Sequence, residues 1–333
     1  MPDRNLPPDR YIPGSIRRYG LTVPLNGIPL RNQRDLIAEL PDLGYTDVWS
    51  SESSDADAFT PLALASVWAP TLRLGTAIVP VYTRGPATLA VSANTLAAVA
   101  PGRFVLGIGS SSSVIVEKWN SIPFDEPYKR VRDTLRFLRS ALSGEKVTQQ
   151  YDTFCVDGFR AGLTSDPPPP VLLAAMRPAM LRLAGREADG AIVNWLSAED
   201  VKTVAPYVHG GGEGKEIVAR IFVLPGVDAN TARAIGRRRI AAYLNVPVYR
   251  AFHEFLGRQD GLDKMWRAWS DGDRAGALAA IPDRVVDDLF VHGAPETCRE
   301  HIERYRSAGV TTPVISVLTS GNPMPAIRAL APR

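Results

Sequence analysis

Along the chain, short apolar runs alternate with longer stretches of helical spacing. Leu72–Pro80 and Arg103–Gly109 are compact apolar runs, and Pro86–Val99 between them stays apolar. Pro86 suits the first position of a helix, where a missing N–H does no harm. Ala100-Pro101-Gly102 breaks that helix. The segment therefore predicts strand, helix, strand, a crossover that makes the two strands parallel neighbours. Tyr19–Leu25, Thr46–Ser51, Val171–Ala174, Ala191–Val193, Glu216–Leu224 and Pro313–Leu318 read as six further strands. Helices are predicted over Arg31–Leu40, Phe59–Trp68, Pro127–Leu142, Arg177–Arg186, Ala198–Tyr207, Asp228–Leu244, Pro295–Ala308 and Ala326–Leu330. In Pro127–Leu142 the apolar Val131, Leu135, Leu138 and Leu142 fall on one face. Ser197, with Asp200 three residues on, reads as an N-cap. Eight strands with interleaved helices predict an α/β fold, the (β/α)8 TIM barrel.

Some segments break the alternation. Residues 147–160 read as a β-hairpin inserted outside the barrel, and Pro167–Pro170 as a stiff lead back into it. Residues 247–288, with Trp266 and Trp269, read as a helical insertion without strand signals. Ser110–Asn120 reads as a loop with one helical turn. Residues 1–18 read as a charged, proline-containing arm. The expectation is one barrel domain over residues 1–333.

Composition narrows the class. The 333 residues are 45% hydrophobic and 22% charged, enough to bury a large core. A net charge of +3 gives no reason to expect nucleic acid or an anionic membrane as partner. No apolar run approaches the ~20 residues of a membrane span, and the N-terminus has no apolar signal core. Cys155 and Cys298 form neither a CxxC nor a disulfide framework, which suits a reducing cytoplasm. Arg237-Arg238-Arg239 reads as a solvated helix face.

Chemistry in such a barrel sits at the strand C-termini. Those ends carry no lysine for a Schiff base. His209, His253, His292 and His301 fall in loops or late helices without metal-ligand spacing, so no metal centre is expected. A mouth this poor in reactive groups borrows its chemistry from an organic cofactor. Met176-Arg177-Pro178 opens a helix and can capture a phosphate there, with Asn194 and Trp195 beside it. Gly107-Ile108-Gly109 has two readings, close packing of the wall or room for a flat ring.

The strings LGTAIVPVYTRGPATLA and PGRFVLGIGSSS, with GYTDVWSSE before and LAAMRPAMLRLAGREADGAIVNWL after, resemble the bacterial luciferase-like monooxygenase superfamily. The branch most similar uses the deazaflavin coenzyme F-420. The resemblance covers residues 19–245 best. It implies a homodimer packed through the second and third barrel helices, Phe59–Trp68 and Pro86–Val99. It also implies a non-prolyl cis peptide at Thr76-Ala77 behind the cofactor ring, with Val79 and Gly107, Gly109 and Ser110 near that ring. Met176, Arg177, Asn194 and Trp195 match the phosphate positions. The deazaflavin-dependent sugar-phosphate dehydrogenases of the superfamily carry Asp-His where this chain has Glu52-Ser53, so that activity is disfavoured. Glu52 remains the candidate catalytic residue, its other reading being a solvated loop carboxylate. Ser53, Arg84, Trp119 and the 247–288 insertion are placed around a small-molecule substrate. The leading expectation is hydride transfer by a deazaflavin enzyme. An FMN-dependent monooxygenase and a non-catalytic cofactor-binding protein are the alternatives.

Overall fold

The computed structural model describes residues 17–319 and 321–332; the expected arm, apart from Arg17 and Arg18, lies outside them. Eight parallel strands close a barrel. They are β1 (Gly20–Thr22), β2 (Asp47–Ser50), β3 (Arg73–Thr76), β4 (Phe104–Gly109), β5 (Val171–Ala174), β6 (Gly190–Asn194), β7 (Glu216–Pro225) and β8 (Thr312–Val317). Each pairs with its sequence neighbour, and β8 pairs with β1 to complete the ring. The crossover helices on the outside are α1 (Arg34–Glu39), α2 (Thr60–Trp68), α3 (Pro86–Val99), α4 (Pro127–Leu142), α5 (Pro178–Glu187) and α6 (Ala198–His209). After β7 come α7 (Ala229–Tyr243), α8 (Pro247–Phe255), α9 (Gln259–Ser270), α10 (Arg274–Ala279) and α11 (Asp283–Leu289). The last two are α12 (Pro295–Ser307) and α13 (Met324–Ala329).

Local chemistry explains where these elements start. Pro86, Pro127 and Pro178 each stand in the first turn of a helix. Ser197 and Asp200 form a reciprocal capping box at the start of α6. The Asp228 carboxylate accepts from the Asn230 and Thr231 N–H groups and caps α7. The predicted hairpin is a separate antiparallel pair, Val147–Gln150 with Cys155–Phe159. Ser110–Asn120 contains a short, wide π-turn over Val114–Trp119.

One strand escapes the sequence pattern. Phe290–Gly293 follows α11 and pairs in parallel with the upper half of β7, from Phe222 to Pro225. Four residues are too few to show a period, and the preceding helix masks them. β7 is thus shared: its lower half pairs with β6 up to Arg220, and the added strand takes over at Phe222. Helices α7 to α11 cover this upper half with a second apolar cluster that includes Trp195, Phe222, Leu224, Trp266 and Phe290. Arg258, between α8 and α9, ties the insertion to the barrel through a 2.7 Å ion pair with Asp200 of the α6 cap.

The barrel interior is layered. Trp49, Val105, Leu172, Ile192, Val218 and Val314 fill its middle. Below them, Arg73 pairs with Asp47 and, at 2.6 Å and 3.0 Å, with both oxygens of Glu216. Thr312 donates its hydroxyl to the same Glu216 carboxylate. All four residues are buried, so an ion-pair cluster closes the N-terminal end. Burial alone would lower the Arg73 pKa, but the flanking carboxylates outweigh it and raise it.

Candidate functional site

The opposite end is the mouth. A cavity of about 860 Å3 opens there between the strand ends, α7 and α13. Phe222, Val227, Ile235, Tyr243 and Leu318 give it an apolar wall. The charged residues lining it are Arg220, Arg239 and Asp55. Arg239 therefore departs from the solvated face expected for 237–239, although Arg237 does pair with Asp283 at the surface.

β3 and β4 end on the same side of the barrel, but their residues do not line that cavity. Thr76 is fully buried, and its hydroxyl donates to the Gly107 carbonyl at 2.9 Å while accepting from the Gly107 N–H at 2.8 Å. The non-prolyl cis peptide lies at Ala77-Ile78, one residue beyond the expected Thr76-Ala77. The physical reason is that the chain still bonds to β2 at Ala77. Thr76 still faces Ser50 in register, and the Ala77 N–H still donates to the Ser50 carbonyl. Val79 is buried and pairs with Ile108. Gly107 and Gly109 are both closely packed. A Cβ on Gly107 would stand 1.9 Å from the Thr76 carbonyl oxygen, and one on Gly109 would stand 2.8 Å from the Ala174 Cβ.

Glu52 and Arg84, expected in separate roles, meet each other. The Glu52 carboxylate accepts from Arg84 Nε at 3.0 Å and from Thr83 Oγ1 at 3.3 Å. The same guanidinium lies 3.8 Å from Asp57 and 4.9 Å over the Phe59 ring. Burial would raise the Asp57 pKa, yet hydrogen bonds from Thr60 and Phe59 and the charge of Arg84 lower it. Asp57 stays ionised at the start of α2, and Glu52 carries its counter-charge with it. Ser53 lies in a tight turn beside Asp55 and lines a smaller cavity with Thr22, Arg220 and Ser316. Trp119 is 56% exposed and does not line these cavities.

The phosphate candidates stand at the ends of β5 and β6. Arg177 is the N-cap residue of α5, but its side chain makes no capping bond. Pro178 occupies the first turn, so the following N–H groups are left bare. The Arg177 side chain is exposed and makes no ion pair among the described residues. This pairing of a bare helix start with a free guanidinium is a donor set suited to an anion. Met176 packs partly on the core. Asn194 faces the hydroxyl of the half-buried Tyr249. Trp195 takes a left-handed backbone conformation, φ 54°, and its ring is enclosed by Phe222 and Tyr243 at 4.7 Å and 5.1 Å between centroids.

Sequence reasoning missed Arg220. It sits in an apolar strand, inward-facing two residues after Val218, and a charge at such a position was the available signal. Among the described residues no group of His, Cys, Asp and Glu could hold a metal ion. No helix there is long and apolar enough to cross a membrane.

Comparison with known proteins places the chain. The family model described as luciferase-like monooxygenase matches residues 14–312. The chain belongs to this family. The luciferase-like barrel is an oxidoreductase, as its relatives are. One is a putative coenzyme F-420-dependent oxidoreductase of Mycobacterium tuberculosis, 27% identical over 320 residues, covering 86% of this chain and 91% of that protein. Another is a 5,10-methylenetetrahydromethanopterin reductase of Methanolobus tindarius, 25% identical, covering 80% and 84%. In structure, the coenzyme F-420-dependent tetrahydromethanopterin reductase of Methanopyrus kandleri superposes with a TM-score of 0.77 at 21% identity, covering 94% of this chain and 97% of that one. The luciferase-like fold expected from the motifs is therefore the fold observed.

Proposed function

We propose that this luciferase-like enzyme uses the deazaflavin coenzyme F-420 to transfer a hydride to or from a small organic substrate. The observation that carries the reading is the charge state of the mouth. Glu52, Arg84 and Asp57 are tied to one another, which leaves Asp55 as the one carboxylate on the cavity lining, whereas Arg177, Arg220 and Arg239 stand without carboxylate partners in an ion pair among the described residues. Such a site binds an anion and needs its redox chemistry brought in. The relatives named for coenzyme F-420 support the choice of deazaflavin.

When bound, the deazaflavin supplies the carbon that gives or takes the hydride. The protein supplies the rest. Arg177, the bare N–H groups that open α5, Met176, Asn194 and Trp195 would hold the phosphate end. Thr76, Ala77, Val79, Gly107, Gly109 and Ser110 would form the wall behind the ring. The Glu52–Arg84 pair and Ser53 would border the substrate, with Glu52 held in place by its bridge to Arg84. The chain is read as one barrel domain with insertions at 147–160 and 247–288. It is read as a homodimer, because Val67 of α2 and Val91 and Val99 of α3 are exposed on neighbouring helices. Free Cys155 and Cys298 suit a cytoplasmic setting.

The test is a titration of the purified protein with coenzyme F-420 and, separately, with FMN, followed by their visible spectra. Saturable binding of the deazaflavin is expected, with bleaching of its oxidised band when a substrate from a panel of alcohols, aldehydes, enones and imines is added. Tight FMN binding without deazaflavin binding would replace this reading with the monooxygenase one. Deazaflavin binding with no turnover across the panel would favour a cofactor carrier.

A further inference from the structure

Arg220 is a cation on a barrel strand, lining the mouth, that the proposed cofactor site leaves unused. Its Nη2 makes a single long contact, 3.4 Å to the Ser316 hydroxyl. Its buried Nε has no partner, and it joins no ion pair among the described residues. Arginine keeps its charge at any accessible pH, so the site must tolerate a full cation. Burial lowers its pKa, against the opposing influence of Asp55, and the guanidinium lies 5.3 Å over the Phe222 ring. Two more donors end beside it without partners. The Thr22 hydroxyl and the Trp49 indole N–H line, with Arg220, a cavity of about 10 Å3 just below the mouth. That volume holds about one water and no organic group. Arg220 also lines a cavity of about 50 Å3 beside Ser53 and the 860 Å3 cavity above, and only the larger one, walled by Phe222 and Tyr243, has room for an organic molecule of ordinary size.

From this arrangement we infer that Arg220 receives the carboxylate of the substrate, and that the enzyme acts on apolar molecules carrying one such group. The inference rests on the proposed function and adds the substrate class. The cation's free fork of N–H groups matches a carboxylate in two parallel bonds. Arg220 and Arg239 against Asp55 leave one net positive charge on the cavity lining. A carboxylate balances that charge, whereas a phosphate monoester, close to doubly ionised at neutral pH, overshoots it. The aromatic and aliphatic wall then takes the body of the molecule.

Calorimetric titration of the full chain with 4-phenylbutyrate, its uncharged amide and inorganic phosphate tests the inference. The carboxylate is expected to bind at least about tenfold more tightly than either control. Arg220→Gln should weaken it about 30-fold or more, the scale of losing one partner of a buried charge pair. Arg220→Lys keeps the charge without the fork and should recover part of the loss, which separates recognition from misfolding. Equal binding of acid and amide, tighter binding of phosphate, no binding of the acid, or wild-type affinity in Arg220→Gln overturns the inference. Titration of both proteins with coenzyme F-420 keeps the two readings apart. Unchanged deazaflavin affinity in Arg220→Gln supports a substrate role, and its loss assigns the arginine to the cofactor and overturns the inference. Where neither protein binds the deazaflavin, the proposed function fails, yet a selective carboxylate site still upholds the role of Arg220.

Discussion

Replacing Arg73 by Met is the sharpest test of how the closed end of the barrel is held. The side chains of Asp47 and Glu216 are 0% and 3% exposed, and the guanidinium of Arg73 is the cation between them. Met fills the space of the aliphatic stem but withdraws the buried cation from two buried carboxylates, leaving Asp47 with Arg18 at 3.5 Å and Glu216 with the Thr312 hydroxyl. Removing one partner of a buried ion pair costs about 3–5 kcal/mol. Unfolding entropy near 60 °C is about 2.1 cal/mol/K per residue, so a chain of this length has about 0.7 kcal/mol/K, and a loss of about 4 kcal/mol lowers Tm by about 6 °C. Scanning calorimetry at one scan rate measures it. The companion triple variant Asp47→Asn, Arg73→Met, Glu216→Gln removes the stranded charges and should regain most of the loss. A single variant within about 2 °C of the parent, or a triple variant no better than the single one, would show that charge is not what the cluster contributes.

Gly107→Ala places a Cβ 1.9 Å from a backbone carbonyl that cannot turn aside, so a loss of about 3 kcal/mol or more is expected, read as a lower denaturant midpoint or insoluble expression. His253 of α8 is enclosed, and burial followed by the charge of Arg258 holds its pKa down to about 3 from 6.5. The unfolded chain therefore takes up a proton that the folded one refuses; stability is full above pH 6.5 and drains as pH falls toward 3, by about 2 kcal/mol at pH 5. His253→Leu should lose correspondingly less between pH 7 and pH 5 in denaturant melts, and parallel losses would contradict the assignment. Val91→Asp on α3 should convert a dimer to monomer in light scattering; an unchanged mass would place any dimer interface elsewhere.

Much of the barrel was readable because its signals are local. Pro86, Pro127 and Pro178 open helices where they stand, and Ser197 with Asp200 closes its own capping box within four residues. Apolar runs such as Val171–Ala174 are short and bounded, so their limits are sharp. What was not readable depends on distance and register. Glu52 and Arg84 are 32 residues apart, and nothing local in either says that each neutralises the other. The cis peptide fell one residue late because β3 holds its pairing with β2 through Ala77, a matter of ladder geometry. Arg220 looks like a polar interruption until the closed ring shows it facing inward.

The split allegiance of β7 carries a consequence of its own. Up to Arg220 both edges of the strand belong to the ring, and from Phe222 one edge stays with β8 through Val223 while the other takes an annex made from residues 229–293. That annex meets the ring along one edge of β7 and through the Arg258–Asp200 pair, so changes confined to its outer loops leave the rungs below Arg220 in place. Selectivity and foldability are thereby mounted on different storeys of the same beam, free to drift at their own pace.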